Sequence, residues 1–271
     1  MHILFIGYGK TSQRVAKQLS RDGYQITTIS QTAKIDLYAN HLIQDVHQLD
    51  LSAIAPVDVV YVLLSPSQSG VDAYQNTYLD SVAPIISALK THPVQRIIVV
   101  SSTRVYAEAA GGVVGDDTAI AASDRQAEIL IAMENHYRAA FAERCIIVRP
   151  TGIYGNSITR MVKLAENTLT YPSIHWSNRI HIDDLARFLV HLIHIKNPLA
   201  SYICSDHRPL PLHQIIIWFQ QQLTLPELYL TSDVESGKKI YAQHMLESGF
   251  ILQYPDCFQS YQALLDQGVQ S

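Results

Sequence analysis

Gly7-Tyr8-Gly9-Lys10-Thr11-Ser12 follows a short apolar run, Met1 to Ile6, and precedes an amphipathic segment, Gln13 to Arg21. A strand, a glycine turn and a helix in that order present backbone N–H groups and a helix N-terminus to phosphate, and a dinucleotide offers two phosphates in series. The first glycine permits the tight turn and the second lets the backbone approach the phosphates. A third glycine normally lets helix and strand pack closely; here that position is Ser12, which is small but not glycine. The alternative meaning of such a glycine pair is an ordinary strand-to-helix turn.

Two further apolar runs end in small polar residues, Leu63-Leu64-Ser65-Pro66 and Val100-Ser101-Ser102-Thr103. In an open parallel sheet ligands bind beyond the carboxyl ends of the strands, so these loops are expected to share a cleft with the glycine turn. The elements that would position them alternate through the first half of the chain, as parallel strands joined by crossover helices do. Strands are predicted at Ile3–Gly7, Gln25–Ser30, His41–Asp45, Val57–Leu64, Arg96–Ser101 and Cys145–Arg149. Helical spacing marks Asp72–Leu89 as one crossover and Ser123–Glu143 as a longer helix with Ile129, Leu130, Met133, Tyr137 and Phe141 on one stripe. Between them, Ala107–Ala122 carries Gly111-Gly112 and Asp116-Asp117 and suits either a mobile lid or a solvated loop. Beyond Arg149 prolines recur, with helices predicted at Ser157–Asn167, Asp183–Ile195, Pro211–Leu223 and Tyr241–Ser248 and a strand at Ser201–Cys204. The expected fold is α/β: a doubly wound, Rossmann-like parallel sheet. A dinucleotide-binding domain is expected over 1–150, and a small substrate-facing lobe, partly interleaved with the sheet, over 151–271.

Composition bounds the rest. The 271 residues are 48% hydrophobic and 16% charged, an ordinary folded balance, and a formal charge of −4 without a basic run gives no electrostatic case for nucleic acid or an anionic membrane. Cys145, Cys204 and Cys257 have no metal-ligand spacing, and His175, His207 and His213 lack the close pairing of a metal site, so no metal is expected. The N-terminal run is short for a signal core, and no stretch approaches the about 20 apolar residues of a membrane helix. A soluble, cytoplasmic protein with reduced thiols is the expectation.

Four more segments follow the glycine turn in the order of one family: Val99-Val100-Ser101-Ser102-Thr103-Arg104-Val105-Tyr106, Val148-Arg149-Pro150-Thr151-Gly152-Ile153-Tyr154-Gly155, Asn178-Arg179-Ile180-His181-Ile182-Asp183-Asp184-Leu185, and Glu247-Ser248-Gly249-Phe250 with Tyr254-Pro255-Asp256. With them the chain resembles the extended and atypical short-chain dehydrogenase/reductases of the NAD-dependent epimerase/dehydratase type. The resemblance implies that Ser102 helps to polarise a substrate, that Thr151 and Gly152 lie near the nicotinamide end, that Asp45 lies beside the adenine, and that the Ser123–Glu143 helix forms a homodimer. It also implies a tyrosine and a lysine four apart on that helix, which transfer the substrate proton while hydride moves at carbon. None of the fifteen tyrosines is followed by such a lysine; Ser123 and Ala127 stand near the two positions.

Two alternatives follow. An enzyme would recruit another acid/base group, with His181, Tyr154, Tyr106 and Arg125 as candidates and histidine the most suitable titrating group; His181 before Asp183 or Asp184 also suits a helix start. A dinucleotide-binding sensor would need only the turn, the strand-end loops and a cleft. The cofactor residues expected are Gly7, Tyr8, Gly9, Lys10, Thr11, Ser12, Ser30, Asp45, Leu64, Ser65, Pro66, Ser101, Thr151 and Gly152. The second strand ends in Ser30-Gln31-Thr32 with no acid to bind ribose hydroxyls, so the cofactor is NADP or NAD with a lean to NADP, and Lys10 and Lys34 are candidate cations. Thr103, Arg104, Arg125, Arg160 and Arg179 are the candidate substrate residues, the arginines suiting a phosphorylated small molecule such as a nucleotide-sugar.

Overall fold

The computed structural model describes residues 1–268. They form two compact units, one of residues 1–107, 119–149 and 186–202, the other of residues 108–118, 150–185 and 203 onward.

The first unit is built on a seven-stranded sheet. Its strands are β1 (His2–Ile6), β2 (Gln25–Ser30), β3 (Asn40–Ile43), β4 (Val59–Val62), β5 (Arg96–Val100), β7 (Cys145–Pro150) and β12 (Ser201–Cys204), in the order β12-β7-β5-β4-β1-β2-β3. Successive strands move outward from β1 on one side and from β4 on the other, so the order reverses between β1 and β4. Such a switch point opens a crevice at the carboxyl ends of the strands. Ile3 pairs with Ile26 and Val59 in parallel register, and every residue of β1 and β4 is buried, as strands covered on both faces must be. Phe5 and Tyr61 stack at 4.8 Å across this centre.

Helix α1 (Lys10–Arg21) starts at the glycine turn and buries Ser12, Val15, Ala16 and Leu19. The crossover expected as one helix over Asp72–Leu89 is instead α2 (Val71–Tyr74), a π-helical turn Gln75–Leu79 and α3 (Val82–Leu89). Pro84 accounts for the restart: without an N–H it is tolerated in the first turn of a helix and disrupts an interior. Helix α4 (Arg125–Phe141) turns the predicted stripe Ile129, Leu130, Met133, Tyr137 and Phe141 inward. Glu134 on the same face is fully buried and receives Arg149 from β7 through both carboxylate oxygens, at 2.6 and 3.0 Å, while Arg149 also donates to Tyr106 Oη at 2.9 Å. Helix α6 (Ile182–His194) adds residues 186–194 to this unit, and its Leu189 carbonyl accepts from Tyr61 Oη at 2.8 Å.

The second unit contains β6 (Ala110–Val114), β8 (Gly152–Tyr154), α5 (Thr159–Asn167), β9 (Thr170–Tyr171), β10 (Ile174–Ser177), β11 (Arg179–His181), β13 (Leu210–Pro211), α7 (Leu212–Gln222), β14 (Tyr229–Leu230), β15 (Glu235–Ile240), α8 (Gln243–Glu247) and α9 (Cys257–Gly268). Four strands make a sheet in the order β13-β10-β15-β6; β8 pairs with β11 and β9 with β14. Segment 107–122 is therefore neither a lid nor a solvated loop: it supplies β6, and the buried Asp116 carboxylate accepts from Ile203 and His244 N–H groups at 2.8 and 3.0 Å. Ile215, Ile216 and Phe219 of α7 pack with Tyr154 and Tyr261 in this unit's core.

The Glu134–Arg149 pair fixes α4 on the sheet. Arg149→Met would leave a fully buried carboxylate with only the partly exposed Arg138, 3.3 Å away, and is expected to cost about 3 kcal/mol in urea unfolding; a loss below about 1 kcal/mol would contradict this role.

Candidate functional site

Strand β1 hands the chain to Gly7, whose φ of +91° lies in the left-handed region. Its N–H donates to Ile29 O at 3.0 Å, and a Cβ there would collide with the Leu63 carbonyl. Only glycine fits, because β2 and the end of β4 crowd the turn from both sides. Ser12 completes the turn from below: it is 1% exposed, and its hydroxyl donates to Gly7 O at 2.8 Å. The serine that replaces the third glycine thereby satisfies a carbonyl bent away from the sheet. Gly9 differs from both. Its backbone is extended, and a Cβ on it would meet nothing within 4 Å. No contact of a Cβ would require glycine at position 9, and the backbone there is open to approach.

A cavity of about 360 Å³ lies against this turn. Gly7, Tyr8 and Gly9 form its floor, Ile29, Ser30, Gln31, Thr32 and Lys34 one wall, Gln44, Val46 and His47 another, and Leu63, Leu64, Ser65, Ser67, Asn76 and Thr77 the rest. The lining holds Lys34 and no carboxylate, a balance suited to an anionic ligand; His47, also in the lining, pairs with Asp45 just outside it at 2.7 Å. Tyr8 is buried, with its ring 5.9 Å from His41 and its hydroxyl 3.4 Å from Tyr38 Oη; burial pushes its ionisation far above the usual phenol range.

Six of the expected cofactor residues, Gly7, Tyr8, Gly9, Ser30, Leu64 and Ser65, line the cavity. Lys10, Thr11, Ser12, Asp45 and Pro66 do not. Asp45 instead caps the short turn Val46–Gln48 and accepts from the backbone N–H and Nδ1 of His47, which hold its carboxyl below the usual range. Ser101, 7% exposed at the end of β5, has a buried hydroxyl without a hydrogen-bond partner. Thr151 and Gly152 belong to the second unit, where the Thr151 hydroxyl donates to Cys204 O and the Gly152 N–H to Asn178 O. Missed from sequence were Ile29, Gln44, Val46, His47, Ser67, Asn76 and Thr77. Val46 and His47 adjoin the anticipated Asp45, whereas Asn76 and Thr77 were hidden by the assumption of an unbroken helix.

At the start of α4, Ser123 is exposed and Ala127 fully buried, so neither position carries a proton-transfer group. An ion pair occupies this region: Asp124 caps the helix through Ala127 N–H and receives Arg104 at 3.1 Å, with Arg104 5.8 Å over the Tyr74 ring. Arg125 pairs with Glu128 at 2.7 Å. Ser102 caps the turn Thr103–Val105, its oxygen accepting from Arg104 N–H.

In the second unit, His181 is 6% exposed, stacked on Tyr254 at 3.8 Å and edge-on to Tyr154 at 5.1 Å. Its Nδ1 accepts from Asp183 N–H at 3.2 Å, so the histidine serves the start of α6, while Asp184 accepts from Gln253 and Tyr254 N–H. Gly155, at φ +103°, makes room for the imidazole. Tyr154 donates to Ser260 Oγ, and burial raises its ionisation well above neutral pH. Arg179 is buried with its guanidinium on Ser177 Oγ; Arg160 lines an open cavity of about 550 Å³ with Ser157, Thr159, Lys163 and Leu164.

One titratable group here went unanticipated. Asp206 is 2% exposed; its Oδ1 accepts from Arg208 N–H while Oδ2 has no hydrogen-bond partner, and burial raises its pKa to about 6 despite Arg179 and Arg208 nearby. Because the folded value exceeds the unfolded one, its contribution to stability is complete below about pH 4 and is lost as pH rises through about 6, a change of up to about 3 kcal/mol. Asp206→Asn, which keeps the acceptor and cannot ionise, is expected to be more stable than the native chain at pH about 8 in urea unfolding, with the difference vanishing near pH 4. Superimposable pH profiles would contradict the assignment.

The curated protein YeeZ from Escherichia coli K12 is 24% identical over 270 residues, spanning 94% of this chain and 96% of YeeZ. A Methylobacillus flagellatus protein classed as an NAD-dependent epimerase/dehydratase superposes with a TM-score of 0.83 at 27% identity, over 98% of each chain. The human epimerase family protein SDR39U1, solved with NADPH, superposes with a TM-score of 0.78 at 14% identity, over 98% of this chain and 99% of that one. The NAD(P)H-binding family model matches residues 7–196, and the chain belongs to that family, in the Rossmann-like fold of the NAD-dependent epimerases and dehydratases.

Proposed function

We propose that the chain is an NADP(H)-dependent oxidoreductase of the epimerase/dehydratase type that acts on a phosphorylated hydroxyl compound, such as a nucleotide-sugar, without a tyrosine–lysine relay. The observation that carries the cofactor half is Gly9, where a Cβ would meet nothing within 4 Å, at the floor of a cavity lined by Lys34 and by no carboxylate. Lys34 on the wall after β2 favours a 2′-phosphate over a bare ribose, since no acid stands there to accept the ribose hydroxyls or repel the phosphate. A bound nicotinamide supplies the hydride acceptor or donor. The chain's part is to bind and orient: Ser102 of the first unit is offered to a substrate oxygen, and the open cavity of the second unit presents Arg160 and Lys163, a pair suited to a phosphate. Arg104 and Arg125 are already paired with carboxylates.

A second reading, a dinucleotide-binding sensor without turnover, is favoured by the buried Ala127 and the Arg104–Asp124 pair at the start of α4. Cofactor-linked absorbance with a panel of nucleotide-sugars separates the two, since turnover belongs only to the first. A homodimer through α4 completes the proposal, supported by the largely apolar cavity that Leu79, Val82, Ala83 and Ile86, with Ser87 and Lys90, form beside His136 of α4, and the free thiols of Cys145, Cys204 and Cys257 suit a cytoplasmic location; light scattering tests the dimer. Among the described residues no helix is long and apolar enough to cross a membrane.

Calorimetric titration tests the cofactor site directly. NADP is expected to bind about tenfold or more tighter than NAD, and Lys34→Glu to reverse the order. Gly9→Val, whose Cβ meets nothing within 4 Å, is expected to stay folded with a loss of about 1 kcal/mol or less at the N-cap of α1, yet to lose at least about tenfold in affinity. Equal affinity for both cofactors would remove the case for Lys34, and native-like binding by Gly9→Val would remove the case for the turn.

A further inference from the structure

His47 links two walls of the cavity. Its Nδ1 lies 2.7 Å from Asp45 Oδ1, just beyond β3, and its Nε2 lies 2.9 Å from the carbonyl of Asn76 on the π-helical turn. Both partners accept and neither donates. A neutral imidazole donates from one nitrogen only and would set the other nitrogen's lone pair against an oxygen; the imidazolium donates from both. The surroundings agree. Asp45 faces the ring from its own turn, Asp80 acts on it from the end of the π-helical turn, and Lys34 stands on the same cavity lining. Helix α3, which packs against the Val46–Gln48 turn, brings no titratable side chain between Val82 and Leu89. The Asn76 carbonyl, and then Asp45, raise the affinity of His47 for its proton.

We propose that His47 is a positioning residue of the dinucleotide site, a protonated latch that ties the wall at residues 44–47 to Asn76 and Thr77, so that cofactor affinity declines as the latch loses its proton. The proposal rests on the assignment of this cavity to a dinucleotide. Deprotonation turns one of the two contacts repulsive and frees the π-helical turn from the opposite wall. A bound dinucleotide, by its negative phosphates and by closing those walls, in turn favours the imidazolium. The bound state therefore holds the proton more tightly than the free state. Affinity is greatest below the free-state pKa and weakens as pH rises through the bound-state pKa, by at most tenfold per pH unit.

Calorimetric Kd values for NAD and NADP from about pH 6 to about pH 8.5, on the native chain and on His47→Gln, test this; NAD is included because the 2′-phosphate of NADP itself titrates near pH 6. The native Kd for NAD is expected to rise about three- to tenfold across the range, and that of His47→Gln to stay flat at the weak limit. Independently of any variant, the NMR titration of the His47 ring in the native protein is expected to shift to higher pH when NAD saturates the site. Equal pH dependence in the two proteins, or a His47 titration unmoved by NAD, would overturn the latch while leaving the dinucleotide assignment intact. No binding of either cofactor at any pH would overturn both.

Discussion

The first unit converges on the close approach of Gly7 to the Leu63 carbonyl. Three parallel strands end there: β1 supplies the glycine, β2 accepts its N–H through Ile29, and the residue just beyond β4 fills the space where a side chain would stand. Because β1 and β4 are where the strand order reverses, that approach also sets the width of the crevice at the switch point. Ser12 then holds the Gly7 carbonyl from the first turn of α1, so the turn, the helix and the sheet are fixed by one backbone unit. What remains above it is Gly9, facing open space.

The same economy governs the polar groups buried elsewhere. Glu134 and Arg149 neutralise each other behind the sheet, and their removal from water is offset by a two-point contact and by Tyr106. In the second unit Asp116 and Asp184 each take two backbone N–H groups from distant segments and so act as internal caps. His181 and Tyr154, which resemblance brought forward for proton transfer, are held by hydrogen bonds of their own, His181 accepting from Asp183 N–H at the start of α6 and Tyr154 donating to Ser260 Oγ. Asp206 is the exception: one of its oxygens is buried with no hydrogen-bond partner, and its proton is held to an unusually high pH.

Much of the fold was legible in the chain because its signals are local. The Gln25–Ser30 and Ser201–Cys204 strands stand as predicted, and α4 to α7 lie within two residues of their expected bounds. Strand β6 was not legible, since Ala110–Val114 holds two glycines and pairs with β15, more than a hundred residues away. The break in the Asp72–Leu89 helix needed Pro84 to be weighed against the apolar spacing. For the site, the glycine turn and the carboxyl ends of β2 and β4 were visible in advance. The roles of Ser12, His47 and Asp206 were not, because each is defined by a partner that only the folded chain brings near: the Gly7 carbonyl, the Asn76 carbonyl and a dry surround.

Backbone amide NMR of the native chain during titration with NADP tests the assignment of the dinucleotide to the crevice over the glycine turn. Saturable shifts concentrated at Gly7, Gly9, Thr32, Lys34 and Ser65 are the predicted result. Shifts elsewhere that leave these amides unmoved, or none at all, would contradict it.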